Sequence, residues 1–101
     1  MLNQDAGLDR AFHALADPSR LRMVAALDDG VELSCAELGE QAGTATSKST
    51  TTHHVAVLRD AGLIRTRHEG QRKLVTLRRV ELDAKFPGLL DAVIGGIDAS
   101  A

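Results

Sequence analysis

The sequence predicts a mainly α fold carrying a small β-hairpin, an α+β arrangement within a single domain. Helix-start and helix-stop signals punctuate residues 17–62. At Leu63 the apolar period shifts from a helical spacing to alternation. The chain is 101 residues long, one domain's worth, with 44% hydrophobic and 26% charged residues, the composition of a folded domain rather than a disordered one.

The elements follow in order. Leu8, Phe12 and Leu15 fall at helical spacing near the start. Asp17 is an N-cap with Pro18 at the first helical position; Leu21, Val24, Ala25 and Leu27 form the apolar face, and Gly30 is the stop. These are the first helices, residues 8–29. Val31-Glu32-Leu33 is a possible short strand. Ser34 and Glu37 read as a capping box opening a helix that buries Cys35, Leu38 and Ala42 and ends at Gly43. Ser47 caps the next helix, with Thr51, Val55 and Leu58 on its inner side and Gly62 as terminator. Hydroxyl and β-branched residues at 49–52 are poor helix formers. The cap before them and the apolar pattern after them favour helix. Residues 34–62 thus form two helices and a turn.

Leu63–His68 and Arg72–Arg78 are β-branched, Arg-rich and alternating, with Glu69-Gly70-Gln71 as the turn between them. Residues 63–78 are therefore a hairpin with basic residues on its solvent face. Pro87 resets the chain, and Leu89, Leu90, Val93, Ile94 and Ile97 make an apolar stripe within a C-terminal helix, residues 80–97.

Charge is distributed in three blocks. The net charge of −2 divides into −5 over residues 1–43, +6 over 44–79 and −3 over 80–101. A basic block of this kind is the footprint of a polyanion binder, with an Arg-rich solvated surface as the plainer reading. Two short helices, the second rich in Ser, Thr and His, followed by a basic hairpin, are the layout of a winged helix-turn-helix. The polar N-terminal half of the second helix fits the major groove of double-stranded DNA. Lys48, Ser49, Thr50, Thr52 and His53 are the candidate base-reading residues. Arg65, Arg67, Arg72 and Lys73 of the hairpin are the candidate phosphate contacts. His53 is the better placed of the two to face the groove; His54, about 100° away on the helix, packs partly against the domain, with a DNA contact as the alternative.

The run Leu15-Ala16-Asp17-Pro18-Ser19-Arg20-Leu21-Arg22, then Ala36-Glu37-Leu38, Ser47-Lys48-Ser49-Thr50 and Thr52 through Ile64, resembles the ArsR/SmtB family of bacterial transcriptional regulators over roughly residues 8–97. Thr52 stands where Ser is usual. The resemblance implies a homodimeric winged-helix regulator, often a repressor released by a metal or another signal, on an inverted-repeat operator. Its dimer seam would join the terminal helices through Leu8, Phe12, Leu15, Leu89, Leu90, Val93 and Ile94, burying apolar stripes that a small core cannot cover.

Metal-sensing members carry a C-x-C pair where this chain has Ser34-Cys35-Ala36. The other common family site uses Asp and His on the last helix, yet no His follows His68, leaving Asp83, Asp91 and Asp98. Carboxylates alone suit zinc or nickel poorly. The expectation is no cofactor and no family-type metal site, with an unidentified effector. A nickel- or zinc-responsive regulator with an unusual site near His13, or a winged-helix protein-interaction module, are the alternatives. Cys35, the single cysteine, reads as a small buried hydrophobe in preference to a sensor thiol, and fits a reducing compartment. No catalytic constellation is visible, so no enzyme is expected. Residues 1–10 lack the features of a secretory signal and no window spans a membrane, so a cytoplasmic location is expected.

Overall fold

The computed structural model describes residues 7–100, with side-chain surroundings through Ile97. The side chain of Asp98 and most of the segment read for a leader fall outside those residues. Capping sets the helix starts where the sequence places them. Helix α1 spans Gly7–Leu15 and α2 spans Pro18–Ala26. The Asp17 carboxylate accepts from the Ser19 and Arg20 backbone N–H groups at 2.8 and 3.1 Å, filling two donors that a helix start leaves unpaired. Helix α3, Cys35–Ala42, opens on the full capping box: Glu37 N–H donates to Ser34 Oγ, and Ser34 N–H donates to Glu37 Oε1. Helix α4, Lys48–Asp60, starts from Ser47, whose hydroxyl accepts from the Thr50 N–H at 3.2 Å.

The hairpin comprises β2, Ile64–Glu69, and β3, Arg72–Leu77, joined through Gly70 and Gln71. Gly70 has φ of +62°, the left-handed conformation that two-residue hairpin turns favour at their first central position. Strand β1 is Leu33–Ser34 and adds antiparallel to the free edge of β3, giving the order β1-β3-β2. The expected strand at Val31–Leu33 is thus shifted: Val31 is exposed, and pairing is confined to the two residues that run straight into the α3 cap. The register divides the β2–β3 hairpin into two faces. Ile64, Leu77, Thr66, Val75, His68 and Lys73 share one, and Arg65, Thr76, Arg67, Leu74, Glu69 and Arg72 share the other.

The core joins Ala11, Ala14 and Leu15 of α1 with Met23, Val24 and Leu27, Leu38 and Ala42, Val55 and Leu58, Leu63, Ile64, Val75 and Leu77 of the elements that follow. Met23 is fully buried, while the expected face residues Leu21 and Ala25 are only partly so. Cys35 is half-buried rather than buried, because it occupies the first position of α3, at the edge of the packing.

The C-terminal segment expected as one helix over residues 80–97 is two: α5, Arg79–Lys85, and α6, Leu89–Ser100. The break lies at Phe86-Pro87-Gly88, where Pro87 disfavours helix at the residue before it. One side chain ties this region to the body. Arg79 donates to Asp83 of α5 and Asp28 beyond α2, both at 3.0 Å, and to Asp91 of α6. Among the described residues no helix is long and apolar enough to cross a membrane.

Candidate nucleic-acid interface

Helix α4 is amphipathic in the manner a reading helix requires. Its inner face buries Thr51, His54, Val55 and Leu58, while Lys48, Ser49, Thr52 and His53 project from the N-terminal half. With Ala56 these four line one shallow depression. Thr50 is also exposed, yet its Oγ1 accepts the Ser47 hydroxyl at 2.7 Å, so it completes the cap as well as facing outward.

Buried polar side chains fix the helix against the body. Thr51 Oγ1 lies 2.8 Å from Thr44 Oγ1 and donates to the Thr44 carbonyl at 3.0 Å. Gly39 of α3 allows this approach: a Cβ there would meet Thr51 Oγ1 at 2.9 Å. His54 is the second anchor. Arg20, only 9% exposed, donates from Nε to the Ala14 carbonyl at 2.5 Å and from an Nη to His54 Nδ1 at 3.0 Å. A guanidinium only donates, so Nδ1 is the acceptor and the imidazole is neutral with its proton on Nε2, facing Asp17 at 3.9 Å. Burial is the main force pulling the His54 pKa below its usual value; Asp17 opposes it, and Arg20 and His53 reinforce it. Burial alone would raise the Asp17 carboxyl, but its two backbone hydrogen bonds with His54 and Arg20 nearby bring it down overall. Asp17, Arg20 and His54 therefore join α2 to α4 and set the angle at which α4 is presented.

The hairpin differs from the sequence reading in two respects: its arginines are paired, and Lys73 does not share their solvent face. Its arginines do not stand free in solvent. Arg67 holds Glu32 in a two-pronged pair at 2.7 and 2.6 Å, and Arg65 holds Glu81 at 2.6 Å. Arg72 lies 3.8 Å from Glu37. The acids come from the flanking negative blocks, so the three-block charge pattern partly closes on itself. Lys73 sits on the opposite hairpin face, half-buried, and its charge reaches Cys35.

The residues expected at the dimer seam also separate. Leu8 and Phe12 are exposed, at 40% and 55%, and Leu89, Val93 and Ile94 are half-buried. Leu15 and Leu90 instead lie in the protomer's own core, at 5% and 0%, because α1 and α6 turn these positions inward. They are corrected to core residues.

The family-type metal positions do not suit a metal. Ser34 Oγ is committed to the α3 cap, Ala36 offers a methyl group, and burial pushes the Cys35 thiol pKa up, away from the thiolate that a metal requires. Among the described residues no three His, Cys, Asp or Glu side chains converge as metal ligands.

Comparison with known proteins places this geometry. A family model described as a helix-turn-helix domain matches residues 15–67. The chain is 40% identical over 83 residues to the uncharacterized HTH-type transcriptional regulator YceK of Bacillus subtilis (strain 168), covering 81% of each chain. The structure of HlyU from Vibrio cholerae N16961 superposes with a TM-score of 0.69 and 34% identity, over 83% of this chain and 88% of that one. A solution structure of Mb0332 from Mycobacterium bovis superposes with a TM-score of 0.75 and 22% identity, over 95% of this chain and 82% of that one. It is described as the homodimeric winged helix-turn-helix DNA-binding domain of a possible ArsR-family transcriptional regulator.

Proposed function

The chain belongs to the helix-turn-helix transcriptional regulators and has the winged fold of the ArsR type, and from that premise we propose that it acts in the cytoplasm as a homodimeric, sequence-specific repressor on an inverted-repeat operator. The observation that carries this reading is the outward row on α4. Lys48, Ser49, Thr52 and His53 project together from a helix whose other face is anchored by buried hydrogen bonds. A rigidly held helix end with short polar side chains admits the base edges of the major groove, and its free N–H groups favour phosphate.

The hairpin supplies the second contact. Arg65, Arg67 and Arg72 reach the flanking backbone from one hairpin face, with Lys73 adding its charge from the other, contributing affinity without sequence information. The dimer forms through the exposed Leu8 and Phe12 and the half-buried Leu89, Val93 and Ile94. Two copies related by a two-fold axis then present two reading helices to two half-sites, which makes the operator palindromic. Regulation proceeds without a family-type metal site.

Two measurements test the reading. Fluorescence anisotropy with the chain's own upstream DNA should show binding that competing random duplex fails to displace at moderate salt. Binding no tighter than to random duplex rejects the sequence-specific reading. Sedimentation should give a dimer for the wild type and a monomer for Phe12→Glu. A Phe12→Glu variant that remains dimeric moves the seam elsewhere.

A further inference from the structure

The arginines of the hairpin face already have carboxylates. The register sets Arg65, Arg67 and Arg72 on one face of β2 and β3, and each meets an acid from outside the hairpin. Glu32 arrives from the segment before β1, 35 residues from its partner, and Glu81 from α5, 16 residues away. Glu37 approaches from α3. These acids come from three separate segments of the chain, so the pairing is a product of the tertiary fold and not of local sequence. The bond to Arg67 holds the Glu32 carboxyl below the usual carboxylate range, and that to Arg65 does the same for Glu81.

We infer that Glu32 and Glu81 form an acidic latch that competes with DNA phosphates for Arg67 and Arg65 and holds the chain's affinity for any duplex below what its basic hairpin could supply. This rests on the DNA-binding reading above. The two-pronged Glu32 carboxylate, and the single Glu81 oxygen shared by Arg65 and Arg78, occupy donors that a phosphate would use. When phosphate takes the guanidinium, the displaced carboxylate stays beside the polyanion and repels it. Less net charge is then neutralised per contact, so the salt dependence of binding is shallower than the number of arginines implies. The latch acts on the backbone grip alone. It lowers selected and random affinity together and leaves the discrimination made by α4 intact.

The test uses the full chain and fluorescence anisotropy on a random duplex across a salt series. Glu32→Gln and Glu81→Gln should each tighten random-duplex binding roughly two- to five-fold, the range that a single exposed ion pair supports. The double variant should tighten it further and steepen the salt slope. Glu32→Asp, which keeps the charge, should stay near wild type. On a duplex selected by the wild type, the gain should match that on random DNA. Unchanged or weaker random-duplex binding in both Gln variants overturns the latch and makes the acids supports that position the arginines. A wild type that binds no duplex at all rejects the DNA-binding reading, and the latch with it. Wild-type binding with unresponsive variants rejects the latch alone.

Discussion

In the body, Arg20 is 9% exposed and both of its partners, the Ala14 carbonyl and His54, are nearly sealed from water. In the wing, the β2–β3 hairpin, the Arg67 side chain is 53% exposed and its partner Glu32 32% exposed. Both arginines are hydrogen-bonded through Nε and one Nη, but they do different work. A buried guanidinium that loses a partner leaves an orphaned polar group with no water to replace it, so the pair fixes geometry. An exposed guanidinium exchanges its partner for water, salt or phosphate at little cost, so the pair is exchangeable. The body is built to hold α4 at one angle, and the wing is built to let go.

The largest effect that would break this contrast lies at Arg20. Arg20→Met should cost about 3 kcal/mol in urea unfolding, because the Ala14 carbonyl and His54 Nδ1 both lose their donor. A loss under about 1 kcal/mol would place Arg20 among the exchangeable pairs instead. Next is Gly39→Ala, whose new methyl group would press on Thr51 Oγ1 and spread α3 from α4. It should cost about 2 kcal/mol, and the same urea titration checks it. Ser34→Ala removes one half of the α3 capping box and should cost about 1 kcal/mol.

The acid side of the stability curve sharpens the comparison further. The His54 pKa is lowered in the folded state, so below its ordinary value of 6.5 the unfolded chain binds the extra proton first. Its contribution is therefore fully present above that value and is lost as pH falls through the lowered folded pKa. Protonation of Nδ1 would also set an N–H against the Arg20 donor. Urea midpoints measured downward from pH 7 should show this loss in the wild type and lack it in His54→Gln. An equal slope in both proteins would assign the acid sensitivity to other groups. At the small end, Arg67→Ala and Glu32→Gln should leave the thermal midpoint unchanged, since both side chains are exposed. A clear drop would make the wing pair structural.

The same contrast explains what could be read in advance. Helix starts at Asp17, Ser34 and Ser47 are local signals, with the capping side chain and its backbone donor two or three residues apart. The turn at Gly70 and the outward face of α4 are local too, so the scaffold and the row Lys48, Ser49, Thr52 and His53 were legible. The position of His54 one residue beyond His53 pointed it away from the groove-facing row but left a DNA contact open, and its bond to Arg20 selects the buried role. What was not legible depends on distant partners. Arg20 and His54 are 34 residues apart, and Glu32 and Arg67 are 35 apart. Nothing in spacing alone separates an arginine bound for a buried imidazole from one bound for solvent. A sign was present in the charge blocks, whose acidic flanks bracket a basic centre and could have suggested internal pairing. The inward turn of Leu15 and Leu90 depends on which stripe the core claims first, and an apolar stripe looks alike whether it faces the core or a second copy.

In the proposed division of labour, α4 reads sequence and the wing grips the backbone. The measurement that tests it most directly compares Thr52→Ala and Arg67→Ala on a duplex selected by the wild type and on a scrambled duplex across a salt series. Thr52→Ala should lose about 1–3 kcal/mol on the selected duplex and almost nothing on the scrambled one, with the salt slope unchanged. Arg67→Ala should weaken both duplexes alike and flatten the slope by at most about one unit. If Thr52→Ala leaves the selected-to-scrambled ratio unchanged while Arg67→Ala collapses it, the wing is the reader and the assignment of roles is reversed.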